Sequence, residues 1–451
     1  MHVHDQQAHD LMELVFRFTA ERMAMDPPPL DESRTFAELT AEAGQTITAG
    51  GLGGTEAMRL FEEVLGPACL SIDHPRYLSF VPAAPTEAAT LFDLIVSATS
   101  IYGGSWLEGS GAVYAENQAL HWLADLAGLP DGAGGTFVSG GSIANLSALA
   151  VARTVWRDAD PVRADLRPIV LLSAAAHSSN AAALALLDVR SLPVEVDEAD
   201  RMTAATLRAA LDALTDAQRA AVAAVVATAG LTNTGTIDDL AAAADAAAEL
   251  GAWFHVDAAY GGAALCSTSR RHRFTGIDRA DSITIDPHKW LFAPYDCAAI
   301  IYRTPALAKR TFTQHAGYLD VLTDKDDWSP SDYAPHLSRR ARGLPTWFSL
   351  AVHGTDAYRD AIDVTIAVPE AGADLISSSP QLELVTEPEL SVLVFRRLGW
   401  DHDDYARWSD QLLHDQIGFV VPTTWRGETV LRICVVNPRT TVDDIAACLP
   451  H

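Results

Sequence analysis

The sequence predicts an α/β fold, with a mostly parallel central sheet, helices on both of its faces and a small C-terminal α+β domain. Three observations predict it. Between about residues 135 and 302, short apolar runs fit for buried strands alternate with alanine-rich helical stretches, a pattern that places a parallel sheet between helical layers. Past residue 346 the alternation gives way to three strand-like runs with a turn, Glu387-Pro388-Glu389, between the first two. Residues able to do chemistry follow the buried runs, and ligands of such sheets bind beyond the carboxyl ends of the strands.

Composition narrows the class. The chain has 451 residues, of which 49% are hydrophobic and 20% charged, which reads as soluble and globular with two or three structural units. A formal charge of −27 argues against nucleic acid or anionic membrane as partner, because phosphate binding needs an excess of Lys and Arg. Cys69, Cys266, Cys297, Cys434 and Cys448 show no CxxC spacing, so neither a metal site nor a disulfide framework is expected, and the protein reads as cytoplasmic. The start lacks a secretory pattern, and no apolar run approaches the roughly 20 residues of a membrane span.

The elements follow in order. His9 to Met25 has helical periodicity (Leu11, Leu14, Val15, Phe18) and stops at Pro27-Pro28-Pro29. Gly50 to Gly54 forms a joint, with Thr55 as the expected cap of the next helix. Residues 1–80 thus read as a helical arm that docks on another surface. Two irregular segments, His74 to Pro82 and Ile101 to Trp106, read as core packing or a binding wall. Gly111 to Leu126 reads as a helix. The expected buried strands are Thr136 to Val138, Ile169 to Leu172, Val222 to Ala227, Trp253 to Val256, Ser282 to Ile285 and Ala298 to Tyr302, with Ala204 to Leu214 and Leu240 to Leu250 among the helices. In the C-terminal unit the strands are Leu382 to Val385, Ser391 to Arg396 and Thr429 to Val436, and no residue there suggests chemistry.

Each strand end carries a candidate. Ser139-Gly140-Gly141-Ser142 opens a helix, where two glycines allow close approach, Ser142 offers a capping oxygen, and free N–H groups suit a phosphate; an ordinary capped turn fits too. His177 either packs or lies flat on an aromatic ligand. Thr232 sits in a hydroxyl-rich turn. Asp257, ending an apolar strand, needs a cationic partner, which is either an arginine or a protonated pyridine. Lys289 in Asp286-Pro287-His288-Lys289-Trp290 is either a solvated lysine or a Schiff-base lysine whose pKa burial lowers.

These motifs, in this order, resemble the group II pyridoxal-5′-phosphate-dependent amino-acid decarboxylases, the family of the aromatic-L-amino-acid, glutamate and histidine decarboxylases. The resemblance spans His74 to about Leu350 and rests on Ser139-Gly140-Gly141-Ser142 with Ala144-Asn145-Leu146, Ala176-His177-Ser178-Ser179, His255 to Gly262 and Pro287-His288-Lys289-Trp290. Ile143 and Leu231 depart from the motifs. The resemblance implies the fold of the aspartate-aminotransferase-like, fold type I enzymes, with an arm at 1–80, a coenzyme-binding domain at 81–345 bearing a mobile lid at about 315–338, and a small domain at 346–451. It implies pyridoxal 5′-phosphate bound as a Schiff base to Lys289. Asp257 would pair with the pyridine nitrogen, His177 and Ala259 would cover the ring faces, and Gly140, Gly141, Ser142 and His288 would hold the phosphate, with Thr232 close by. Tyr318, in the lid, would protonate Cα after CO2 leaves.

The implied reaction is decarboxylation of an L-amino acid to its amine. An aromatic substrate is expected from the apolar wall of Phe80, Val81, Pro82 and Trp106, with Gly104 in the same pocket; Val81, Ala83 and Gly104 depart from the larger or hydroxylated groups of aromatic-amino-acid decarboxylases, and Arg76 and Arg339 to Arg342 leave an acidic substrate open, as an aliphatic one is. The resemblance also implies a homodimer in which Ile101 to Trp106 reach the neighbour's site. Aldehyde formation by oxidative deamination, carbon–carbon cleavage and a non-catalytic role are the rival readings.

Overall fold

The computed structural model of the chain describes residues 2–314 and 327–450. The first 12 residues of the expected lid, 315–326, therefore lie outside the described residues.

The apolar runs form strands. β1 (Gly134–Val138), β2 (Ile169–Ser173), β3 (Arg190–Val194), β4 (Val222–Thr228), β5 (Trp253–Asp257), β6 (Ser282–Ile285) and β7 (Ala298–Tyr302) make one seven-stranded sheet in the order β1-β7-β6-β5-β4-β2-β3. The neighbours from β3 to β6 pair in parallel, and β7 runs antiparallel to both β6 and β1. Every residue of β4, β5 and β6 is buried, as expected of strands covered on both faces. The core on one side joins Phe137, Val225, Phe254, Ile283 and Trp290 to Ile362. The other joins Val138, Val170, Val226 and Ile300 to Leu149 and Leu184.

A 35-residue helix, Leu344–Ser378, leads from the large sheet to a smaller one. It packs on the helices Glu87–Ala98 and Trp106–Leu126 and on the strands β8 (Leu382–Thr386) and β9 (Val392–Arg397). With β10 (Pro422–Trp425) and β11 (Glu428–Cys434) these form an antiparallel sheet, β10-β11-β9-β8.

Several expectations are corrected. β3 and β10 went unread because both are edge strands: β3 buries only Val194 and carries Pro193, and no residue of β10 is fully buried. The helix expected from Gly111 begins at Trp106, capped by Ser105, with a kink at Gly109 that hides its first turn from periodicity. Thr55 is not a cap; Gly53 stands at that position and Thr55 lies inside Gly54–Leu60. The first helix spans Gln6–Met23, capped by Asp5, and buries none of its residues.

Candidate active site

Five loops at the carboxyl ends of the large sheet's strands converge on a cavity of about 350 Å³. Gly140, Gly141 and Ser142 arrive after β1, His177 after β2, Thr232 after β4, Ala259 after β5, and His288 and Lys289 after β6, while Asp257 is the last residue of β5. All nine expected coenzyme-binding residues line this one space. A larger hollow of about 600 Å³, bordered by Arg22, Thr86, Phe292 and Tyr358, contains none of them.

The glycine turn is built for close approach. Gly140 precedes the helix Gly141–Asp158 without a side-chain cap; Ile143 N and Ala144 N donate to Gly140 O, which leaves the Ser142 N–H open among the described residues, and the Ser142 hydroxyl does not cap the helix. Gly141 N donates to Asp286 Oδ2 at 3.1 Å. A Cβ on Gly141 would stand 2.8 Å from that oxygen and 3.2 Å from Ala259 Cβ, so a larger residue would force the turn apart.

Lys289 is placed by its neighbour. Trp290 is wholly buried, donates to Thr365 Oγ1 at 2.8 Å and stacks on Tyr260 at 5.2 Å, which fixes the short helix Pro287–Trp290. Lys289 Nζ lies 3.2 Å from Asp286 Oδ2. Burial acts to lower its pKa, but the charges of Asp286 and Asp257 and the Asp286 hydrogen bond outweigh it and hold the ammonium above its ordinary value. The expectation of a lysine depressed by burial is thus reversed by a carboxylate three residues upstream. His288 Nδ1 accepts from Cys297 N at 3.0 Å, and burial lowers the imidazole pKa, so the ring is neutral with its proton on Nε2.

Asp257 is 4% exposed and meets no arginine among the described residues. Instead Oδ2 accepts from Asn145 Nδ2 at 2.8 Å and from Asn180 Nδ2 at 2.9 Å, while Oδ1, among the described residues, receives only Ala259 N at 3.3 Å. His177 caps the helix Ser178–Leu186, its Nδ1 accepting from Ser179 N at 3.2 Å with Ser179 Oγ at 2.8 Å.

Sequence reasoning missed four lining or neighbouring groups. Asn145, Asp286 and Tyr295 line the cavity, the last with its ring 4.8 Å from that of His288. Arg432 comes from the C-terminal unit, where the sequence suggests no chemistry, and reaches a loop of the cavity. From β11 it donates Nε to Thr232 O at 2.7 Å and Nη1 to Phe80 O at 2.6 Å, and its buried Nη2 has no hydrogen-bond partner among the described residues. The signal for Asp286 was present in its spacing from Lys289, and Asn145 stands in a motif that carries the resemblance without a role assigned to it; Tyr295 and Arg432 had none.

Phe80, Val81, Pro82, Gly104 and Trp106 do not line the cavity within one chain. Phe80 sits 6.3 Å from Phe419, ring to ring, and connects to the cavity through Arg432. Gly104 O accepts from Ser331 N at 3.1 Å, and Trp106 N donates to Ser329 Oγ at 3.3 Å, which puts both beside the end of the expected lid. Tyr318 lies outside the described residues. The arginines that left an acidic substrate open are engaged elsewhere: Arg339 with Glu116 at 2.7 Å in full burial, Arg340 with Asp93, Arg342 with Asp296, and Arg76 with Asp444. No metal-holding cluster occurs among the described residues, and no helix among them is long and apolar enough to cross a membrane.

Comparison with known proteins shows what the chain resembles. The pyridoxal-dependent decarboxylase conserved domain matches residues 56–398. The aromatic-L-amino-acid decarboxylase of Bacillus atrophaeus is 30% identical over 92% of this chain and 88% of its own. The L-2,4-diaminobutyrate decarboxylase of Rhizobium meliloti is 32% identical over 86% of this chain and 80% of its own. Among solved structures, Oryza sativa TDC with PLP and tryptamine superposes with a TM-score of 0.90 at 24% identity, covering 99% of this chain and 97% of its own, a likeness of fold.

Proposed function

The chain belongs to the pyridoxal-dependent decarboxylases and is a pyridoxal-phosphate-dependent amino-acid decarboxylase; on that premise we propose that it converts an aromatic L-amino acid to its amine and CO2. One observation carries the reading: a lysine amine, an amide-held carboxylate and an uncapped helix start open into one cavity.

The residues fit the coenzyme. Asp257 Oδ1 has room for a ring N–H, and the Ser142 N–H with the Nε2–H of His288 would suit a phosphate. When bound, pyridoxal phosphate supplies the sink for the electron pair that the departing carboxylate leaves at Cα. Lys289 would hold the coenzyme through its side-chain amine. Because Asp286 and Asp257 favour its ammonium, Lys289 must first give up a proton, and loading quickens toward higher pH. Asp257 would pair with the ring nitrogen, His177 and Ala259 would cover the ring, and Gly140, Gly141, Ser142 and His288 would hold the phosphate beside Thr232. Tyr318, assigned from sequence alone, protonates Cα. Tyr318→Phe is expected to divert product from amine toward aldehyde, read by chromatography of the reaction mixture.

The aromatic cluster Tyr77, Phe80 and Phe419, with ring spacings of 4.9 and 6.3 Å, lies outside the cavity of one chain and would favour an aromatic substrate only through its link to Thr232 by way of Arg432. The pairing of Arg76 and Arg339 to Arg342 with carboxylates leaves those arginines no free charge for an acidic side chain. The likeness to an aromatic-amino-acid decarboxylase points the same way. In a homodimer Gly104 and Trp106 would complete the neighbour's site; the unburied Phe16, Phe36 and Ile47 of the arm supply apolar surface for such a partner.

The test is direct. The purified chain, supplied with pyridoxal phosphate and single L-amino acids, is assayed for amine and CO2. Amine from tryptophan, phenylalanine or tyrosine supports the proposal. Amine from 2,4-diaminobutyrate alone, or aldehyde with ammonia and peroxide, overturns it.

A further inference from the structure

Asp257 is held by a chain of buried groups whose hydrogen positions can be worked out from both ends. Trp253 Nε1 can only donate, and it does so to Ser282 Oγ at 2.8 Å. That hydroxyl's own proton is then free for His255 Nδ1 at 2.9 Å. His255 is fully buried, and burial pushes its pKa down to about 4, so the ring is neutral and carries its proton on Nε2. This N–H donates to Asn145 Oδ1 at 3.1 Å, which turns the Asn145 amide nitrogen toward Asp257 Oδ2 and Ser179 Oγ. The other tautomer would place the His255 Nδ1 proton on Ser282 O at 3.2 Å. It would then require Asn145 to aim its oxygen at the carboxylate, which the 2.8 Å contact forbids.

A second amide arrives independently. Asn180, with no exposed surface, donates from Nδ2 to Asp257 Oδ2 at 2.9 Å and lies 3.4 Å from His177 O. Its Oδ1 has no hydrogen-bond partner among the described residues, a cost that the donation to a charge offsets. Two neutral amides therefore load one oxygen of Asp257 and leave the other.

We propose that Asn145 and Asn180 are positioning residues, anchored by His255, that hold Asp257 as an oriented anion with Oδ1 reserved for the coenzyme's ring nitrogen. The inference rests on the coenzyme reading above. It predicts that the asparagines act only on a ligand with a nitrogen at that ring position.

The experiment titrates cofactor-free wild type, Asn180→Leu and Asn145→Ser with pyridoxal phosphate and with its deaza analogue, in which a carbon replaces the ring nitrogen. Binding is followed by tryptophan fluorescence, and the unfolding midpoint of each unliganded chain is recorded. Each substitution is expected to weaken pyridoxal phosphate about tenfold and leave the analogue's affinity unchanged. His255→Gln, which keeps a donor, is expected to retain the preference that His255→Leu loses. Equal weakening for both ligands, or none for either, overturns the inference and leaves the decarboxylase reading standing. A wild-type chain that binds no pyridoxal phosphate overturns both. Should Asn180→Leu fail to fold, Asn145→Ser decides by the same ratio.

Discussion

Asp257 and Asp286 stand at the ends of adjacent strands, are 4% and 2% exposed, and are held in opposite ways. Asp257 is bound by neutral amides on Oδ2, and its Oδ1 takes a long contact from Ala259 N at 3.3 Å. Asp286 already has its cation, Lys289, together with the Gly141 N–H on the same oxygen, and its Oδ1 has no hydrogen-bond partner among the described residues. The fold delivers a buried charge to each end of the cavity; the donors around it decide whether that charge is spent within the protein or offered to a ligand.

Removing each charge should break the contrast in a different direction. The largest effect belongs to Asp257→Ala, which deletes the counter-charge meant for the ligand: turnover at saturating coenzyme is expected to fall roughly 10²- to 10³-fold, measured as CO2 release, with unfolding of the unliganded chain little changed. A smaller effect comes from the anchor. His255 is depressed from 6.5 to about 4, so between those pH values the unfolded chain binds a proton that the folded one refuses. Stability from this group is complete above pH 6.5 and is lost as pH falls toward 4, by on the order of 3 kcal/mol. Urea midpoints of wild type and His255→Gln, compared from pH 4.5 to 7, should converge at the acid end relative to neutral pH; parallel curves would contradict the assignment. The smallest effect is at Asp286. Asp286→Asn removes the nearest charge that raises Lys289, so coenzyme loading near pH 7 should quicken about three- to tenfold in stopped-flow absorbance. Slower loading would mean that Asp286 serves the coenzyme and not the resting lysine.

Much of this was legible in the sequence because buried strands and strand-end residues announce themselves locally. The runs at β4, β5 and β6 are apolar throughout, and Lys289, His177 and the glycine turn follow such runs directly. Edge strands gave no comparable signal, since β3 needs only one buried side chain. The amides that hold Asp257 were illegible for another reason. Asn145 lies 112 residues away from Asp257 in sequence and Asn180 lies 77 away, each on a helix where an asparagine reads as ordinary. Arg432, 200 residues from Thr232, became visible only when the small sheet closed against the large one. For Lys289 the sign of the pKa shift was misjudged although the cause was adjacent: Asp286 sits one helical turn before it.

The central claim is that Lys289 bears the coenzyme. The most direct measurement is borohydride reduction of the coenzyme-loaded chain, followed by peptide mass mapping. The account predicts one modified peptide, carrying a phosphopyridoxyl group on Lys289, and none in Lys289→Ala. Modification at another lysine, or an unmodified chain despite visible absorption before reduction, would contradict it.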